Sequence, residues 1–235
     1  MARLEGTCVY CGAFGTIHMD HVPPKNLFES QAQSQLLTVP ACRSCNNSAS
    51  KDDECFLVVM ALRSDATLRP EHPNLWQKAL RLLRRDRAAG FRKRVVADVK
   101  FVQPVTPTGL VLPRALSIPV EPFRVIGTVV RIVKGLYYHE TERRFPETHQ
   151  VIPYDMLAYQ QARFERLRDA ALIFELAWEL QKTPLKRVGR VFAYQWDSDP
   201  KRPANTRWLL NFFGGIRFVG LTLPTGANLL EDRHD

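Results

Sequence analysis

The chain has 235 residues, 45% of them hydrophobic and 24% charged, a composition that supports a sizeable core and excludes a disordered or fibrous protein. No apolar run reaches the ~18 residues of a membrane helix, and the start Met-Ala-Arg-Leu-Glu-Gly lacks the apolar segment of a secretory signal. A cytoplasmic protein with no membrane partner is expected, and the formal charge of +9 favours a polyanion as partner.

In chain order, residues 7–11 (Thr-Cys-Val-Tyr-Cys) read as a short strand turning at Gly12 into a metal knuckle. Residues 15–22 are β-prone and stop at Pro23-Pro24, since proline supplies no N–H to a ladder. A polar loop over 25–35 leads to a second strand, 36–39, which Pro40 is expected to end. A helix begins at Cys42, and Lys51-Asp-Asp-Glu54 opens a more apolar one reaching about Arg63, with acids placed where the helix dipole favours them. Strand, long loop, strand, helix is the ββα order.

Residues 64–73 read as a linker, and Asn74 as the cap of a basic helix over 75–88 that Gly90 ends. Strands are predicted at 95–103 and 110–120, a helix at 123–138 from its 3.6-residue period, and a broken helix within 158–181. Residues 188–196, 206–213 and 216–223 alternate as strands, the last two joined by Gly214-Gly215 as a hairpin. There is no internal repeat and no low-complexity tract.

Five cysteines are present. Cys8-x-x-Cys11 and Cys42-x-x-Cys45 have the spacing of a tetrahedral Zn²⁺ site on four thiolates, closed and therefore structural. Cys55 stands in an apolar stretch and reads as core. Between residues 78 and 94, Lys78, Arg81, Arg84, Arg85, Arg87, Arg92, Lys93 and Arg94 face a single acid, Asp86. Such a run reads either as a solvated helix face or as a nucleic-acid backbone track with salt-dependent binding.

Between the two cysteine pairs lies His18-Met-Asp-His-Val-Pro-Pro-Lys25, and the second pair continues as Cys42-Arg-Ser-Cys-Asn-Asn-Ser-Ala-Ser-Lys51. Here the chain resembles the HNH endonuclease family in its four-cysteine zinc form: Asp20, His21, Pro24, Cys42, Cys45 and Asn46 match the family's core. The resemblance covers residues 7–54, about a fifth of the chain. It implies that His21 is the general base, and that Asp20 and Asn46 are ligands of a catalytic Mg²⁺ or Mn²⁺. Asn47 is a register alternative to Asn46, and Ser50 lies one turn further on. His18 reads as a solvent-exposed strand histidine or as a further partner of the site. Lys25, Arg43 and Lys51, with Arg81, Arg84 and Arg85 of the basic run, are the candidate phosphate contacts. One departure is the absence of the family's middle asparagine from Ser30-Gln-Ala-Gln-Ser-Gln35, where Gln35 offers the same donor and acceptor set.

The resulting expectation is an α+β chain. A zinc-stapled ββα-metal (HNH) module occupies residues 1–64, a linker and basic helix 65–95, and an α+β domain with an antiparallel sheet 96–235. Its function is then metal-dependent hydrolysis of DNA phosphodiesters, with RNA left open and a homodimer allowed. The reading set against it is a non-catalytic, zinc-dependent nucleic-acid-binding protein.

Overall fold

The structure is a computed structural model that describes residues 4–29, 36–63, 72–97, 100–103, 105, 109–111, 115–117, 122–157 and 167–227. It is an α+β protein with antiparallel sheets. Strands β1 (Glu5–Thr7), β2 (Phe14–His21) and β3 (Thr38–Cys42) form a small sheet in that order, followed by helices α1 (Arg43–Ser48) and α2 (Ser50–Leu62). Helices α3 (His72–Leu83) and α4 (Ala89–Ala97) carry the basic run, with a 3-10 turn over Asp86–Ala88 between them. A two-stranded ribbon of β4 (Lys100–Val102) and β5 (Ala115–Ser117) precedes the long helix α5 (Pro122–Thr141).

The larger sheet runs β6-β10-β9-β8-β7, built from β6 (His149–Asp155), β7 (Lys186–Val188), β8 (Phe192–Ser198), β9 (Thr206–Phe212) and β10 (Ile216–Pro224). Helix α6 (Leu167–Leu180) covers one face. Strands β9 and β10 are apolar on both faces because both are covered. Trp208, Leu210, Phe212 and Phe218 point into the core shared with α2 and α5, while Leu209, Val219 and Leu221 meet Ile173, Leu176 and Leu180 of α6. Phe56 of α2 joins the N-terminal elements to this sheet, its ring 5.5 Å from that of Phe212 in an edge-to-face contact.

Helix α5 lies between the two sheets, and two glycines set how closely it approaches them. A Cβ on Gly135 would stand 2.6 Å from a methyl of Val22, and one on Gly220 of β10 would stand 2.9 Å from Val133. The strand end that carries His21 is therefore packed directly on α5.

Several expectations are corrected. Pro40 does not end the second strand but lies inside β3, opposite Met19. Because β3 is an edge strand, its missing N–H interrupts no second ladder. Asn74 does not cap the basic helix, which begins at His72; its amide donates to Glu29 at 2.9 Å instead. Gly90 sits within α4, and the break falls earlier, at Arg85, whose backbone is extended. Residues 95–97, expected as strand, end α4. Strand β6 was missed: it contains Pro153 and lies at the edge of its sheet. Residues 64–71 of the expected linker and 158–166 of the expected broken helix lie outside the described residues.

Candidate functional site

The first cysteine pair sits in the turn between β1 and β2. Cys8 N–H donates to Ala13 O and Gly12 N–H to Cys8 O, each at 2.9 Å, and Gly12 adopts φ +75°, where an L side chain is strained. The second pair sits at a strand-to-helix junction. Cys42 ends β3 and caps α1, its Sγ accepting from Cys45 N–H at 3.5 Å. The four sulfurs lie within 4.8 Å of one another, with Cys11 and Cys42 Sγ 3.8 Å apart, well beyond disulfide bonding. This group can hold one metal ion. Burial drives the Cys8 thiol up, but backbone hydrogen bonds from Cys11, Cys42 and Tyr10 outweigh it and bring it to about 7. Cys45 is pushed up, first by burial and then by hydrogen bonds with Cys42 and Cys11. Thiolates crowded this closely repel until a cation joins them.

Register carries the geometry from this cluster to the other candidates. Ile17 of β2 pairs with Cys42 and His21 with Thr38, so the Asp20–His21 end of the strand lies at the far end of the ladder from the sulfurs. Helix α1 packs on β2, with Asn46 directly after the last cysteine. His21 is half-buried, and its ring makes no hydrogen bond among the described residues. Burial, then the charge of Lys25, lowers its pKa, with Asp20 opposing. Asp20 is 6% exposed. Its Oδ2 accepts from Tyr10 Oη at 2.8 Å and faces Arg131 Nη1 at 3.6 Å, while its Oδ1 takes no hydrogen bond among the described residues. Asn46 is half-buried and its side chain makes no hydrogen bond among the described residues, whereas Asn47 and Ser50 are exposed. His18 is exposed as well.

Among the described residues, the four cysteines are the one group of three or more Cys, His, Asp or Glu side chains gathered closely enough for a metal. No such group forms at the Asp20–His21 end among the described residues, where the expected ligands are one carboxylate, Asp20, and one amide, Asn46.

The candidate phosphate contacts separate into types. Lys25, Arg43, Lys51, Arg81 and Arg84 are exposed. Arg85 is exposed but lies 3.8 Å from Glu54. Lys78 turns inward: its Nζ donates to the carbonyls of Phe28 and, at 3.3 Å, Asn26, and burial lowers its pKa. Gln35, the expected stand-in for the middle asparagine, lies outside the described residues.

Four residues escaped the sequence reading. Asn26 Nδ2 donates to Asp53 O at 2.8 Å and ties the turn after His21 to α2. Tyr10, Asp53 and Arg131 surround Asp20. Arg131 left the clearest trace, a lone cation in the apolar run Val129-Val130-Arg131-Ile132-Val133, since buried charges are seldom unpaired. A pocket of about 280 Å³ is lined by Tyr10, Cys11, Lys134, Arg144, Phe145 and His149, with Pro146 and Glu147. No family model, curated protein or solved structure matches the chain.

Proposed function

We propose that the chain is a metal-dependent HNH-type endonuclease that hydrolyses DNA phosphodiesters, stapled by a structural Zn²⁺ on Cys8, Cys11, Cys42 and Cys45. The observation that carries the reading is His21: a half-buried imidazole at a strand end, with no hydrogen bond among the described residues, preceded in the chain by Asp20, a carboxylate with one oxygen uncommitted among them.

Zinc suits the sulfur cluster by size. Zn–S bonds of about 2.3 Å in a tetrahedron put the sulfurs about 3.8 Å apart, the separation of Cys11 and Cys42. Zinc there leaves no coordination position for substrate, so chemistry falls to the Asp20–His21 end. A carboxylate and an amide oxygen are hard donors that would suit Mg²⁺ or Mn²⁺. When bound, such an ion neutralises charge on the transferring phosphoryl group and the leaving 3′ oxygen. His21 accepts the proton of the attacking water at a ring nitrogen, and its lowered pKa keeps it neutral for that task near pH 7. Asp20 and Asn46 would hold the ion, and Lys25, Arg43 and Lys51 are exposed, where they would contact the DNA backbone. One module carries one such site, so a double-strand break requires a dimer or two successive nicks.

The competing reading, a zinc-dependent nucleic-acid binder, has no use for His21. Incubating supercoiled plasmid with Mg²⁺ or Mn²⁺ separates the two. Wild-type protein is expected to nick or linearise it, and His21→Ala to lose about 10²-fold or more of that rate. Equal rates would remove His21 from the mechanism.

A further inference from the structure

Three side chains from three parts of the chain, Asp20, Asp53 and Tyr10, gather around one guanidinium, that of Arg131. Arg131 of α5 directs Nη2 to Asp53 Oδ1 of α2 at 2.5 Å and Nη1 toward Asp20 Oδ2 of β2 at 3.6 Å. Tyr10, from the first cysteine turn, donates to that same Asp20 oxygen at 2.8 Å. The Arg131 side chain is only 12% exposed, and its Nη1 is buried without a hydrogen-bond partner. Two carboxylates face one cation, and each is held through a single oxygen, so the other oxygen of Asp20 takes no hydrogen bond among the described residues. The packing fixes this arrangement from outside. Gly135, one turn beyond Arg131, is the point where α5 closes on Val22, the residue after His21.

We propose that Arg131 and Tyr10 are positioning residues for the metal-holding carboxylate: they pin Asp20 Oδ2 so that Oδ1 is presented to the divalent ion. This rests on the nuclease reading, because Asp20 must be a ligand for its orientation to matter. A carboxylate free to rotate offers either oxygen in many directions, whereas one held at a single oxygen offers the other in one. Arginine suits the role because one arm of its planar fork is fixed on Asp53 while the other holds its charge 3.6 Å from Asp20, whereas a lysine ammonium is a point charge without fixed direction. The device also makes the site depend on α5, well outside the ββα module.

The bland account is that the network merely staples α5 to the sheet. Binding of Mn²⁺ separates the two, followed by paramagnetic broadening of the His21 ring signals in NMR and, in parallel, by the Mn²⁺ dependence of plasmid nicking. Arg131→Met keeps the stem and removes the fork, Arg131→Lys keeps the charge, and Tyr10→Phe removes one hydroxyl and decides the matter should Arg131→Met fail to fold. The expected result is a rise of about 10- to 100-fold in the Mn²⁺ needed by Arg131→Met, a smaller rise for Tyr10→Phe, and partial recovery in Arg131→Lys. Variants that melt at lower temperature yet titrate with Mn²⁺ as wild type does would overturn the proposal and leave the nuclease reading standing. Wild-type protein that neither binds Mn²⁺ beside His21 nor nicks DNA would overturn both.

Discussion

The side-chain amide of Asn26 donates to the backbone carbonyl of Asp53 at 2.8 Å, and so ties the 3-10 turn that follows His21 to the first turns of α2. Lys78 supports the same turn from α3 through the carbonyls of Asn26 and Phe28. Asn26→Ala removes the donor from a largely enclosed position, and a lost bond of this kind costs about 1–3 kcal/mol. Urea denaturation is expected to show that loss. Plasmid nicking is expected to fall further than stability alone explains, because the segment leaving His21 loses its anchor. Asn26→Asp should be no milder, since it turns a carboxylate toward a carbonyl. A variant as stable and as active as wild type would deny the brace.

This residue also illustrates what the sequence did and did not reveal. The two cysteine pairs were legible because their spacing is a local pattern, and the structure gathers all four sulfurs; Asp20-His21 and Asn46 were read from the same kind of local spacing. The hairpin of β9 and β10 was legible from alternation and two glycines. Asn26 was passed over because the brace was sought next to the second cysteine pair, at Gln35, and no local rule says which loop amide reaches α2. Arg131 and Asp20 are far apart in the chain, so their meeting is set by tertiary packing and leaves only the oddity of a cation in an apolar run. Strand β6 escaped for a related reason: its residues are mostly half-buried, so no alternation marks it. The basic run read as one helix because charge does not record the extended backbone at Arg85 that divides it.

Removing the metal tests the cysteine cluster. Val9, inside the first knuckle, and Val39, on β3, belong to the same core as Phe56 and Trp208, so loosening the cluster disturbs more than the N-terminal turn. A chelator is expected to lower the melting temperature by about 10–20 °C, equivalent to several kcal/mol for a chain of this size. Zinc should restore it, and Co²⁺ should bring in the intense absorption of a four-thiolate site. Cys42→Ser is expected to resemble chelation, because Cys42 both joins the cluster and caps α1. An unchanged melting curve after complete chelation would deny the structural role.

Stability should also vary with pH through Asp53. Burial pushes its carboxyl up to about 6, even with Arg131 opposing. The folded chain therefore keeps this proton over a range where the unfolded chain has released it, and folding binds protons there. Stability contributed by this group is complete below the ordinary carboxylate range, falls as pH rises toward about 6, and then levels off. Asp53→Asn, always neutral, lacks that term. Relative to wild type, it is expected to gain on the order of 1–3 kcal/mol between pH 4 and pH 7. Parallel stability curves for the two proteins across this interval would contradict the raised value.

If DNA is the partner, as proposed, only some cations of the basic run are placed to meet it. Lys78 is spent on carbonyls, Arg85 lies beside Glu54, and Arg92 donates to Leu83 O at 2.7 Å. Arg81 and Arg84 are exposed on α3; Arg81 lends only its Nε to Gln77 O, which leaves its terminal nitrogens for a phosphate. A cation that neutralises a phosphate releases counterions, and each such contact adds about 0.9 to the slope of log affinity against log salt. The double variant Arg81→Glu/Arg84→Glu is thus expected to bind DNA more weakly and with a slope smaller by about 2. Its zinc content and melting temperature should be unchanged, because neither side chain reaches the core. Weakened binding with the slope intact would mean that α3 acts through shape and not as a phosphate track. An unchanged affinity would return the run to a solvated surface and leave the DNA contacts to Lys25, Arg43 and Lys51.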